Sequence, residues 1–152
     1  MSLPAPALPE SAAEPDLWRR IEARLGTGPV RSEHDLARLV EARLPVQAAT
    51  AMLAHGLRDA ELYALVLPRR TLAHRRARGE PLTPEESDRL VRVARLTALA
   101  ESVFGEAERA WRWLRRPAHG LAGRTPLDQL ATEAGARLVE ESLVRIDHGL
   151  AA

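Results

Sequence analysis

Apolar residues recur along this chain at spacings of three and four, and no segment keeps the two-residue alternation of a strand. Leu17, Trp18, Ile21 and Leu25 form the first such stripe, behind a candidate cap at Asp16 and ahead of Gly26 and Gly28. Leu36, Leu39, Val40 and Leu44 form the second, started by Ser32 with Asp35 three residues on, and stopped by Pro45. A third segment runs from Val46 to His55 and closes at Gly56. Asp59 is the candidate cap of a helix buried through Leu62, Leu65 and Val66, which Pro68 ends. Pro68 also suits the first position of the next helix, which stops at Gly79.

The strongest start signal is Thr83-Pro-Glu-Glu86, with an N-cap, a proline at the first helical position and an acid at the third. The helix it opens carries Leu90, Val91, Val93, Ala94, Leu96, Leu99, Ala100, Val103 and Phe104 before Gly105. Such a helix of about 20 residues spans roughly 30 Å. Its nearly all-round apolar content predicts a central strut buried by two layers. Glu106 to Arg116 predicts another helix, with Trp111, Trp113 and Leu114, stopped by Pro117. The two tryptophans cannot share one face, so one is expected in the core and the other at an interface. A glycine-punctuated loop, His119 to Arg124, leads to Thr125-Pro126 and a one-turn helix through Leu127 and Leu130. Thr132 caps the last helix, whose seam is Ala136, Val139, Leu143 and Ile146, and Gly149 ends it. That narrow seam fits a partner's groove as well as an internal core.

Composition agrees with packed helices. Hydrophobic residues make up 45% of the 152, but aromatics only 3%, so the core falls to Leu, Val, Ile and Ala. All 22 basic residues are arginine, which coding bias in a GC-rich genome explains more simply than any need for guanidinium. The net charge of +1 excludes a bulk polycation, yet the charge is segregated. Residues 68–79 hold five arginines and His74 with no acid. On a helix, Arg70, His74 and Arg78 project opposite Leu72. A short helix, a tight turn and a basic helix over residues 59–78 make a helix-turn-helix candidate for a DNA major groove. The stretch from Thr125 to Ala152 reverses the balance, with five acids against two arginines, which suits a different partner.

Other chemistry is not written in the chain. The absence of cysteine excludes a disulfide framework, a thiol nucleophile and the usual zinc fingers. His34, His55, His74, His119 and His148 lack metal-ligand spacing, so no metal is expected. Gly120-Leu-Ala-Gly-Arg-Thr125 lacks the length and the lysine of a phosphate loop. No serine sits in a nucleophile elbow, and Glu85-Glu86 is explained by capping and the helix dipole. No enzyme activity and no cofactor are therefore expected. No apolar run is long enough to span a bilayer and the N-terminus lacks a signal peptide's pattern, so a cytoplasmic location is expected. Residues 1–15, rich in proline and alanine, read as a flexible arm.

From about Leu67 to Gly149 the chain resembles the Xre/MbcA/ParS family of toxin-binding antitoxins. The resemblance lies in Pro68-Arg-Arg-Thr-Leu-Ala-His-Arg75, Leu82-Thr-Pro-Glu-Glu-Ser-Asp-Arg-Leu90 and Val103-Phe-Gly-Glu106. It continues in Trp113-Leu-Arg-Arg-Pro117, Leu121-Ala-Gly-Arg-Thr-Pro-Leu-Asp128, Thr132-Glu-Ala-Gly-Ala136 and Arg145-Ile-Asp-His-Gly149. The resemblance implies an all-α protein: an Xre-like helix-turn-helix part joined by a long central helix to a C-terminal toxin-binding part. Residues 1–31 would be a flexible arm and short helix, 32–80 the DNA-binding domain and 81–152 the toxin-binding domain. It implies a toxin of the RES type, which consumes NAD⁺, whose active site the antitoxin occludes, and repression of its own operon. By position, Arg69, Arg70, Thr71, His74, Arg75 and Arg78 fall to DNA binding. Leu121, Gly123, Arg124, Thr125, Pro126, Leu127, Leu130, Gly135, Val139, Leu143, Ile146 and Gly149 fall to toxin binding. The chain departs from the usual helix-turn-helix pattern by Tyr63 in the first helix and by Val66-Leu67-Pro68 where a glycine turn is common.

Within that reading, Leu127, Leu143 and Ile146 are expected to carry most of the binding energy, with Glu140, Glu141 and Asp147 facing a basic toxin surface. DNA binding is expected from a homodimer, since paired half-sites give short helices their affinity. Trp18-Ile21-Leu25 and the C-terminal seam are the candidate dimer surfaces. A stand-alone repressor without a toxin is the alternative, and the acidic, seam-bearing tail is what it would not need.

Overall fold

The structure is a computed structural model that describes residues 14–149. The arm expected over residues 1–15 therefore lies almost wholly outside the described residues. Among the described residues the chain is entirely helical: α1 (Glu14–Leu25), α2 (Glu33–Ala42), α3 (Val46–Ala54), α4 (Asp59–Leu65), α5 (Arg69–Arg78), α6 (Pro84–Phe104), α7 (Ala107–Leu114), α8 (Pro126–Gln129) and α9 (Glu133–Asp147). A single 3₁₀ turn, His119–Leu121, lies between α7 and α8. No helix among them is long and apolar enough to cross a membrane.

The helix starts follow from local hydrogen bonding. The hydroxyls of Ser32, Thr83, Thr125 and Thr132 each accept from the backbone N–H three residues on, satisfying one of the donors that a helix start leaves free. Thr83 and Glu86 close a full capping box, with the Thr83 N–H donating back to Glu86 Oε2 at 2.9 Å. The box at α2 is displaced by one residue. The Asp35 carboxylate accepts from the N–H of Arg31, not of Ser32. Two expected caps also shift. Asp16 lies inside α1, where it pairs with Arg20 at 2.7 Å, and Asp59 is the first helical residue of α4, behind Arg58. Pro68 is the N-cap of α5 and not its first residue. Gly79, at φ 64°, ends α5 in the left-handed conformation.

α6 is the strut on which α1, α2, α4, α7 and α9 pack. Leu90, Val93, Ala94, Leu96, Ala98 and Ala100 are all enclosed, which accounts for its apolar content around most of its circumference. Trp18, Ile21 and Leu25 of α1 enter the same core, Ile21 at 0% exposure. The expectation that this stripe is a dimer surface is therefore corrected: its side chains are already buried by their own chain. One charge is buried with them. Arg24 reaches Glu101 of α6 as an ion pair, and burial, followed by repulsion from Arg20, pushes its guanidinium down to about 10, still cationic at neutral pH.

Candidate nucleic-acid and partner interfaces

α5 is bound to the body by very little apolar surface. Leu72 is its one buried residue, and Thr71 is half-buried. Opposite it, Arg70, His74 and Arg78 are exposed as the helical spacing requires, and Arg69 and Arg76, flanking Leu72 at the two ends of the helix, are exposed as well. Of these, Arg78 comes within 3.9 Å of Glu80, while among the described residues no carboxylate lies within 4 Å of Arg69 or Arg70. These five exposed positive or titratable side chains, three of them on the arc opposite Leu72, form a surface able to meet phosphates and base edges.

Arg75 stands apart from this arc. Its Nε and Nη2 donate to the two carboxylate oxygens of Glu86 at 3.2 and 3.1 Å, and its Nη1 donates to Glu80 at 3.2 Å. The expectation that Arg75 reads DNA alongside Arg70 meets this geometry: the guanidinium is occupied internally. Burial by itself would raise the Glu86 carboxyl. The Arg75 fork and the Thr83 N–H outweigh it and hold Glu86 below the usual carboxylate range. The same contact raises Arg75.

The α4–α5 pair is held from behind. Arg89 of α6 donates to the carbonyl of Val66, in the turn between the two helices, at 3.0 Å. The tight Val66-Leu67-Pro68 turn needs no glycine. Val66 and Leu67 bury their side chains in the core, at 2% and 1% exposure, and no left-handed residue is required. Tyr63 is half-buried against the core and leaves α4 undistorted. The start of α4 is tied to α7 by Arg115, which forks onto Glu61 at 2.7 and 2.9 Å and donates to the carbonyl of Gly56 at 2.7 Å. Trp111, beneath the Arg115 guanidinium, donates from its indole to the carbonyl of His55 at 3.1 Å. It is the core member of the tryptophan pair, and Trp113 lies half-buried against Phe104.

The C-terminal part divides into scaffold and surface. Leu121, Pro126, Leu127, Leu130, Gly135, Val139 and Leu143 are buried, Leu130, Val139 and Leu143 completely. The seam therefore closes the internal core between α6, α8 and α9. The expectation that Leu127 and Leu143 are partner contacts is corrected on this ground, since neither presents its side chain to solvent. Gly123, Arg124 and Gly149 are exposed, and Thr125 and Ile146 half-exposed. Sequence reasoning missed Leu138, a large apolar side chain turned outward at 45% exposure. Its position off the seam, beside Val139, was the available signal. Glu141 and Asp147 are exposed as expected, but Glu140 is paired with Arg95 of α6 at 3.0 Å. No cluster of histidine and carboxylate ligands suited to a metal occurs among the described residues.

The fold and these two faces define a helix-turn-helix protein with a helical binding unit attached to its central helix. Residues 35–95 match the model of the antitoxin Xre-like helix-turn-helix domain, and residues 99–149 match that of the antitoxin Xre/MbcA/ParS C-terminal toxin-binding domain. The two matches meet inside α6, so the strut is shared. The chain belongs to the Xre/MbcA/ParS family of antitoxins. It is 50% identical over 84 residues to an antitoxin Xre of Pseudomonas putida, covering 55% of this chain and 53% of the relative. An antitoxin Xre of Yersinia enterocolitica is 38% identical over 90 residues, 59% of this chain and 61% of its own length. A Sphingobium protein named Prs ADP-ribosylating antitoxin is 32% identical over 95 residues, 57% of this chain and 60% of the relative. The chain thus matches little more than half the length of these relatives.

Proposed function

We propose that this protein is the antitoxin of a type II toxin–antitoxin pair, that it binds and occludes a RES-type toxin that consumes NAD⁺, and that it represses its own operon. The carrying observation is the joining, through α6, of a toxin-binding domain match to a helix-turn-helix domain match. The name of the Sphingobium relative supports the toxin's chemistry, since ADP-ribosyl transfer draws its ADP-ribose from NAD⁺. Residues 81–152 carry toxin binding and residues 32–80 DNA binding.

On the toxin side, the exposed Gly123, Arg124 and Gly149 and the half-exposed Thr125 and Ile146 make contact, while Leu121, Pro126, Leu127, Leu130, Gly135, Val139 and Leu143 hold the helices that present them. Glu141 and Asp147 add electrostatic steering toward a surface that attracts an anionic dinucleotide. On the DNA side, Arg69, Arg70, Thr71, His74 and Arg78 of a homodimer reach paired half-sites.

Co-expression with the product of the adjacent reading frame tests this, scored by growth and intracellular NAD⁺. The expected result is arrest and NAD⁺ depletion by the neighbour alone, and recovery of both with this chain. A harmless neighbour, or no recovery, overturns the antitoxin reading and leaves a repressor that acts without a toxin.

A further inference from the structure

The helix that must face DNA has one buried anchor, Leu72, and a single apolar contact cannot set the tilt and rotation of a ten-residue helix. Major-groove reading is sensitive to both, because bidentate contacts to base edges demand defined donor directions. α3 packs against α5 and Glu80 pairs with Arg75, and two further polar constraints come from α6. Glu86 receives the two-pronged donation of Arg75 from the C-terminal half of α5. One turn further along α6, Arg89 donates to Val66 in the turn that leads into α5. The two side chains are three residues apart on one helix face and grip the motif at two separate points. Glu86 is itself immobilised, since Thr83 caps its N–H and its carboxylate accepts from the Thr83 N–H.

We propose that Glu86 and Arg89 of α6 are positioning residues for DNA reading, which hold α5 through Arg75 and the α4–α5 turn through Val66. This rests on the reading of α5 as the DNA-contacting helix. Arg75 then acts within the protein, and the contacts to DNA fall to Arg69, Arg70, Thr71, His74 and Arg78.

The test is binding of the full chain to a labelled duplex from immediately upstream of its own reading frame, against a scrambled duplex of equal length and composition. Measurements are made well below the melting temperature of every variant. E86Q keeps a carbonyl oxygen for the Thr83 N–H but loses the charge that Arg75 forks onto. E86Q and R89A are each expected to weaken the upstream duplex by roughly tenfold, the scale of one charge-assisted hydrogen bond. Both should stay within about twofold on the scrambled duplex, where phosphate attraction dominates. R75A should match E86Q, the double variant R75A/E86Q should lose nothing further, and R75K should recover part of the loss. A direct phosphate contact by Arg75 would instead lower the salt slope by about one in R75A while leaving E86Q unaffected. If R70A weakens the upstream duplex while E86Q and R89A bind like the unaltered chain, the positioning proposal is overturned and DNA reading stands. If the unaltered chain does not distinguish the two duplexes, the DNA reading itself fails.

Discussion

Gly135 offers the sharpest test of the packing that shapes the C-terminal part. It is the third residue of α9 and receives the Thr132 cap. Helix propensity alone predicts that Gly135→Ala stabilises, by about 1 kcal/mol. The structure predicts the opposite sign. A Cβ at this position would lie 2.1 Å from the carbonyl oxygen of Gln129 and 2.9 Å from its carbonyl carbon. Ordinary contact begins near 3.4 Å, so the α8–α9 turn would have to open by well over an ångström. The obstacle is backbone and cannot rotate aside. Overpacking of a fixed core costs about 1–3 kcal/mol, and a backbone obstacle belongs at the top of that range. Set against the propensity gain, the net loss is about 2 kcal/mol, which at 2–4 °C per kcal/mol for a chain of this size lowers the Tm by about 4–8 °C. A thermal melt followed by circular dichroism reads it directly. A Tm equal to or above that of the unaltered protein would refute the close approach of α9 to the end of α8.

Leu143→Ala should cost about 3 kcal/mol through the cavity it leaves, whereas Leu138→Ala should stay within about 0.5 kcal/mol in the same denaturant titration; equal effects would contradict the inside and outside assigned to α9. Gly56→Ala should lose at least about 2 kcal/mol, because its Cβ would fall 2.3 Å from Trp111 Nε1 at a backbone φ of 107°. An unchanged melt with unchanged tryptophan fluorescence would remove that contact. For Glu61, burial raises the carboxyl, but the Arg115 fork and the Arg58 N–H prevail and hold it low, as Arg75 and the Thr83 N–H do for Glu86. Both folded pKa values lie below the unfolded ones, so their stabilisation is complete above the ordinary carboxylate range and lost as pH falls through the folded values. The Tm should hold between about pH 5 and 7 and drop below about pH 4, less steeply in E86Q. A pH-independent melt of the unaltered chain down to about pH 3 would contradict both ion pairs.

The helices, their order and most of their caps were legible from the sequence, because a helix start is settled within four residues. Thr83, Thr125 and Thr132 needed only a hydroxyl and the N–H three positions on. The basic arc of α5 was legible for a similar reason, since Leu72 dictates which residues lie opposite it. Pairing across long separations was not. Whether Arg75 faces DNA or Glu86, and whether Glu140 faces a partner or Arg95, depends on an acid or base eleven or forty-five residues away.

The seam of α9 marks the boundary between the two kinds of information. The sequence determined that Ala136, Val139, Leu143 and Ile146 share one face, because helical geometry is local. Only the tertiary structure decided that α6 and α8 already cover most of that face and leave Leu138 outside. An apolar stripe is satisfied equally by any apolar surface, its own chain's or another's, since hydrophobic burial has no direction.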